Sequence, residues 1–381
     1  AVLSKVMGRM FFPSSFIDSA RENRLLFNLS VLITVGLSVG GCATAYKQAQ
    51  DEPVPDSVDV QIFFATDRGV EDASDPAKYF GGSRGEMTYG IGTVAIKTKK
   101  RMTGHSTPSV WDRSDFNASK STELVDVDVM TLEELLRTIT VRTNTSSDKS
   151  AIVYTHGYAR KFEQAAGVLA SVIYKINFQG IPVLYSWPSK GSATAYAGDL
   201  NDVEWTVPHF RDFLKQLAKQ HDLDTIHLAA HSLGNRAFLR ALIQLLDETE
   251  LTTDWKFGEI ILMAPDVDRD IFERDFAPVL AQTPSRVTLY VSSVDIPLRI
   301  SRSVNLYSRV GDASDQPFIY PGFDTIDASD VAGVTSGHSY YRETPEVLED
   351  LYYLIIERLG ADDRPTLDPV YTEHGRYWKI K

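Results

Sequence analysis

The chain has 381 residues, 43% hydrophobic and 24% charged, enough to bury the core of one large domain with appendages, or of two domains. A net charge of −12, with no basic stripe interleaved with aromatics, argues against nucleic acid as a partner. The single cysteine excludes an internal disulfide. The histidines are scattered and no cysteine pair occurs, so neither a metal nor a cofactor is implied.

The first feature along the chain is Arg21 and Arg24, followed by an apolar run from Leu25 to Val39 and then Gly40, Gly41 and Cys42. About fifteen apolar residues are too few for a spanning helix but suit the core of an export signal, with Met7 or Met10 as its start. Val39-Gly40-Gly41-Cys42 resembles the bacterial lipobox. That resemblance implies a signal over 1–41, cleavage before Cys42 and lipid on Cys42. An ordinary membrane anchor or a buried free cysteine are the alternatives. Ala43 is not an acidic retention residue, so the resemblance points to the outer membrane, facing the periplasm. Residues 42–57 are polar and Pro-containing and read as a lipidated tether. Nothing else in the chain is long and apolar enough to span a bilayer.

Residues 58–150 read as an N-terminal extension of edge strands and loops. Asp59–Ala65 is a strand, Gly82–Gly92 a glycine-rich loop and Gly92–Lys97 a second strand. Residues 100–120 are a Ser/Thr/Asn-rich excursion. Leu124–Val129 alternates as a strand, and Thr131–Ile139 is a short capped helix.

From Ala151 to Leu359 strands and helices alternate, which marks the core domain. The strands are Ala151–Thr155, Pro182–Trp187, Thr225–Ala230, Glu259–Ala264, Arg286–Ser292 and, last, Phe323–Ala328. Between them, helices follow Phe162, Leu233 and Thr344, and another is capped by Thr206. Near-continuous apolar strands separated by amphipathic helices predict an α/β fold, a mostly parallel sheet covered on both faces, with N-terminal strands extending one edge. Ligands then bind at the carboxyl ends of the strands. Residues 360–381 read as a polar C-terminal tail.

Ala230-His231-Ser232-Leu233-Gly234 sits between a buried strand and an amphipathic helix, the context of the nucleophile elbow in the α/β-hydrolase fold. Small residues must flank that turn at two before and two after the serine; Ala230 is a mild departure from glycine. The fold's order of serine, acid, histidine leaves only His338 and His374 as bases, and His338, in the loop after the last predicted strand, is preferred. Asp295, after the strand ending at Ser292, is the preferred acid, with Asp266 and Asp268 as alternatives. Asp327 and Asp330 lie too close to His338 in the chain to be favoured. The N–H groups of Leu233 and Tyr158 are the candidate oxyanion donors, the second from the Thr155-His156-Gly157-Tyr158 loop. His156 then holds that loop, and Trp187 either walls the pocket or packs.

Several pieces together resemble a bacterial family of α/β-hydrolases of unknown function (DUF900). They are Phe63–Arg68, Thr155–Tyr158, Tyr185–Ser189, Ala230–Arg236, Met263–Asp268, Tyr290–Asp295 and Gly337–Tyr341. The resemblance runs from about residue 60 to 358. It implies the hydrolase fold and a serine triad, but no substrate. The triad residues lead to the expectation of a lipid-anchored carboxylesterase or lipase acting on a small-molecule or lipid ester. A peptidase or amidase using the same groups, or a non-catalytic envelope scaffold that keeps the fold, are the alternatives.

Overall fold

The computed structural model describes residues 57–97, 121–248, 255–331 and 337–381. The expectations for the export signal, Cys42, the tether and residues 100–120 lie outside them. Four central strands are buried along nearly their whole length, β4 (Ser150–Thr155), β5 (Ile181–Ser186), β6 (Thr225–His231) and β7 (Phe257–Met263). A strand covered on both faces must be apolar on both, which explains the continuous hydrophobic runs.

One eleven-stranded sheet carries the fold, in the order β10-β11-β9-β8-β7-β6-β4-β5-β1-β2-β3. Its remaining strands are β1 (Ser57–Val70), β2 (Phe80–Lys97), β3 (Thr122–Met130), β8 (Arg286–Val291), β9 (Phe323–Asp327), β10 (Leu367–Thr372) and β11 (Gly375–Ile380). From β1 through to β11 neighbouring strands are parallel; β2, β3 and β10 add antiparallel edges. This is the expected α/β-hydrolase class, a mostly parallel sheet with helices on both faces.

Helices α1 (Leu132–Thr145), α4 (Val207–Ala218) and α5 (Gly234–Asp247) pack on one face through Leu135, Phe210 and Leu242. Helices α2 (Phe162–Lys175) and α7 (Pro345–Ile355) cover the other through Leu169 and Leu351. Two further helices, α3 (Tyr196–Trp205) and α6 (Ile296–Asn305), lie in stretches that the sequence reading left without structure. Among the described residues no helix is long and apolar enough to cross a membrane.

The topology places the site. The chain runs from β4 outward to β5, then returns past β4 to β6 and continues in the opposite direction. The loops leaving β4 and β6 therefore diverge and open a crevice at their carboxyl ends, the switch point of an open parallel sheet.

Three local expectations are corrected. Gly82–Gly92 is not a loop but part of the continuous strand β2, because its glycines meet close backbone. A Cβ on Gly90 would stand 2.2 Å from the Asp128 carbonyl oxygen, and one on Gly85 2.8 Å from that of Arg68. Thr206 does not cap α4 with its side chain; its hydroxyl bonds instead to the buried Asp67 and Tyr185 at the junction of α3 and α4. Residues 367–380, read as tail, form the β10–β11 hairpin, which pairs with β9 through Trp378 and Lys379. His374 lies in its turn, remote from β4 and β6 in the strand order.

Candidate active site

β6 ends in a turn whose shape is imposed by the residues around it. Ser232 has φ of 51°, a left-handed conformation costly for a residue with a Cβ. The turn is pinned on both sides. Ser232 N–H donates to the Met263 carbonyl (3.0 Å), Asp266 N–H donates to the Ser232 carbonyl (3.2 Å), and Asn235 Nδ2 also donates to it (3.0 Å). Gly234 is required because a Cβ there would lie 2.2 Å from the His156 carbonyl oxygen, so the turn and the β4 loop touch.

Ser232, His338 and Asp295 are brought together in one hydrogen-bonded chain. Ser232 Oγ stands 3.0 Å from His338 Nε2, and His338 Nδ1 lies 2.7 Å from Asp295 Oδ2. A carboxylate on Nδ1 makes that nitrogen the N–H and leaves Nε2 as acceptor for the serine proton. Asp295 is fully buried, and its other oxygen caps α6 by accepting the Leu298 N–H at 2.9 Å. Burial pushes the Asp295 carboxyl above its ordinary range, while His338 and the Leu298 N–H pull it back. Gly337 places the histidine. Its φ is 66°, and a Cβ would collide with the Val294 carbonyl oxygen at 2.3 Å.

Asp266 and Asp268, the alternative acids, do not reach His338. Asp266 accepts from Tyr196 OH (2.8 Å) and Ser301 Oγ (2.6 Å). Asp268 caps a short helical turn at Asp270 and Ile271 and pairs with Arg309 at 3.5 Å. Asp327 accepts from Ser329, and Asp330 pairs with Lys379.

The β4 loop faces the turn. Gly157 lets it approach, since a Cβ there would be 2.8 Å from Ser232 Cβ and 2.9 Å from His231 Nδ1. The N–H groups of Tyr158 and Leu233 have no backbone partner among the described residues. The next residue, Ala159, is held at φ 54° and donates its N–H to Asp199 Oδ2 at 3.0 Å.

Groups missed in the sequence hold this loop from beneath. Arg68 is fully buried and uses every N–H. Nε donates to Ser186 Oγ (2.8 Å), Nη1 to the carbonyls of Gly81 and Ser189 (2.9 Å each), and Nη2 to the Arg160 carbonyl (2.7 Å) and His156 Nε2 (3.2 Å). Since Nε2 accepts, the His156 proton sits on Nδ1 and donates to the Gly157 carbonyl at 2.8 Å. Burial and the neighbouring guanidinium keep His156 well below the usual histidine range, hence neutral. Trp187 is wholly buried and does not wall the pocket; it stacks on His156 and donates Nε1–H to the His156 carbonyl at 2.8 Å. His231, also held neutral by burial, donates Nε2–H to the His338 carbonyl at 3.1 Å. All four lay in sequence pieces singled out; His156 was expected to hold its loop, whereas no pattern signalled a supporting role for Arg68, Trp187 or His231.

No curated protein matches the chain. Among solved structures it is similar to the product of the gene lin2722 from Listeria innocua, with 12% identity and a TM-score of 0.33 over 57% of this chain and 97% of that one. It is also similar to the carboxylesterase CesB (YbfK) from Bacillus subtilis, with 13% identity and a TM-score of 0.31 over 55% and 84%. The match that covers most of the fold just described is to a family model spanning residues 133–358, and the chain belongs to that family, the alpha/beta hydrolases of unknown function (DUF900).

Proposed function

We propose that the protein is a serine hydrolase that cleaves carboxylic esters through an acyl-enzyme. The observation that carries this is the chain from Ser232 Oγ to His338 Nε2 at 3.0 Å and from His338 Nδ1 to Asp295 at 2.7 Å, built on a serine in left-handed geometry. His338 takes the Ser232 proton as Oγ attacks the ester carbonyl, and the carbonyl electron pair moves onto oxygen. The Leu233 and Tyr158 N–H groups, free of backbone partners, receive that oxyanion. Collapse of the intermediate expels the alcohol, which leaves with the proton from His338. Water then repeats the sequence on the acyl-enzyme, releasing the acid. Asp295 keeps the imidazole in the Nδ1–H tautomer and offsets its charge in a site with little water.

The lipobox-like Val39–Cys42 supports an envelope location, with the chain held to the outer membrane by lipid on Cys42. The test of activity is labelling by a fluorophosphonate and turnover of p-nitrophenyl esters. Both are expected in the wild type and both should vanish in Ser232→Ala. Labelling that persists in that variant, or a folded wild type inert to every such ester, would sink the proposal.

A further inference from the structure

Helix α3 reaches the β4 loop with one carboxylate, that of Asp199, which is wholly buried. Its Oδ2 accepts from the Ala159 N–H at 3.0 Å and from Ser189 Oγ at 2.6 Å, and its Oδ1 accepts from the Lys190 N–H at 2.8 Å. All three donors are uncharged, and together they tie the loop after β4 to the loop after β5. Burying a carboxylate is costly, and here backbone and hydroxyl donors offset that cost. In return the bonds are charge-assisted, roughly twice as strong as those to a neutral acceptor.

What those bonds fix is Ala159. Its φ of 54° is left-handed, a conformation that alanine disfavours on its own because of its Cβ. The next N–H groups are committed as well. Arg160 N–H donates to Ser189 Oγ at 3.1 Å, which is itself bonded to Asp199, and Lys161 N–H donates to Gln164 Oε1 at 3.3 Å. Three consecutive N–H groups are thus taken by side chains, while the Tyr158 N–H just before them has no backbone partner among the described residues. The same helix also braces the Tyr158 side chain, because the Tyr196 ring meets it edge-on with centroids 5.4 Å apart. A change of conformation at Ala159 would swing the chain that leaves Tyr158, and the candidate oxyanion donor lies only one residue away.

We propose that Asp199 is a positioning residue for ester cleavage, which aims the Tyr158 N–H at the oxyanion by holding Ala159 in the left-handed region. This rests on the esterase reading above. A carboxylate that only tied two loops together would affect stability and the fraction of competent enzyme, and would leave the rate of each competent site unchanged.

The test counts competent sites with a fluorophosphonate and measures kcat per labelled site, in the full chain, with a p-nitrophenyl ester. Asp199→Ala should lower kcat about 100-fold with KM little changed, as for the loss of one oxyanion donor. Asp199→Asn keeps the size and one acceptor oxygen but loses the charge, and its kcat should fall about tenfold. Ala159→Gly, added to either variant, should recover kcat several-fold, because glycine enters the left-handed region without steric cost and no longer needs the carboxylate. A folded Asp199→Asn with wild-type kcat would overturn the proposal, and this variant decides the matter if Asp199→Ala does not fold. So would a loss confined to KM or to the labelled fraction, or a loss in kcat that Ala159→Gly does not relieve. An active wild type matched by these variants defeats the positioning role alone. A wild type inert to both fluorophosphonate and ester defeats the esterase reading, and this one with it.

Discussion

Gly157→Ala is the sharpest test of how the β4 loop serves the site. The added methyl would stand 2.8 Å from Ser232 Cβ and 2.9 Å from His231 Nδ1, both well inside ordinary contact. Carbon atoms rest at about 3.5–4.0 Å, so the separation must grow by about 1 Å. Neither neighbour can yield. Ser232 is tied to Met263 and Asn235, and the His231 ring is held by the His338 carbonyl. The loop must therefore move, and the Tyr158 N–H moves with it. A misplacement of about 1 Å costs about 10²-fold in rate, and losing one oxyanion donor about 10²–10³-fold. Overpacking costs a further 1–3 kcal/mol or so of stability, which leaves a domain of this size folded. With a p-nitrophenyl ester, kcat is expected to fall about 100-fold with KM little changed. Circular dichroism would verify folding. A folded Gly157→Ala with nearly wild-type kcat would refute the reasoning, since it would place the oxyanion elsewhere.

Two other outcomes follow from the buried carboxyls. Asp295→Asn can keep the α6 cap, because an amide oxygen also accepts the Leu298 N–H, but it turns a donor toward His338 Nδ1; kcat should drop by about 10⁴ with the melting temperature preserved. Asp266→Asn should leave kcat near wild type, and equal losses in the two variants would contradict the assignment of the acid. Glu259, at the start of β7, has its carboxyl pushed by burial from 4.5 up to about 7, against the pull of Arg286. Between those values the folded chain holds a proton that the unfolded chain has released. That stabilisation is therefore complete below 4.5 and lost as pH rises through about 7, amounting to at most about 3 kcal/mol. Urea midpoints at pH 5 and pH 8 should converge in Glu259→Gln; a wild-type difference that survives the substitution counts against it.

The legible parts of the molecule were those whose environment is uniform. Strands β4 to β9 carry apolar residues on both faces because both are covered, and Ser232 announced itself by small neighbours at a strand-to-helix junction. Helix α6 was hidden for the opposite reason. Its apolar period, Ile296, Ile300 and Val304, points away from the core, so the usual link between hydrophobic spacing and an inward face fails. Its start was nonetheless written in Asp295 followed by Pro297, an N-cap and a first-turn proline. The β10–β11 hairpin was hidden by solvent, since Asp368, Tyr371 and Glu373 are exposed and the segment reads as polar. In β2 glycine signalled a loop where packing had required it.

Arg68 shows a different kind of illegibility. A buried arginine ordinarily pairs with a carboxylate, and a sequence search looks for one. Here the guanidinium bonds only to neutral groups, three carbonyls, a hydroxyl and an imidazole, and burial lowers its pKa to about 10, so it keeps its proton at neutral pH. Its desolvation is offset by five hydrogen bonds rather than by an opposite charge. Those bonds run to residues 81, 156, 160, 186 and 189, which belong to three separate loops and strand ends. Burial, together with this cation that has no carboxylate of its own, keeps His156 neutral, so the imidazole can accept at one nitrogen and donate to the Gly157 carbonyl from the other. The backbone of the loop that faces Ser232 is thus set by a side chain on β1, some ninety residues earlier and outside the span of the family match. β1 is consequently part of the site's scaffold, and the N-terminal strands do more than lengthen the sheet.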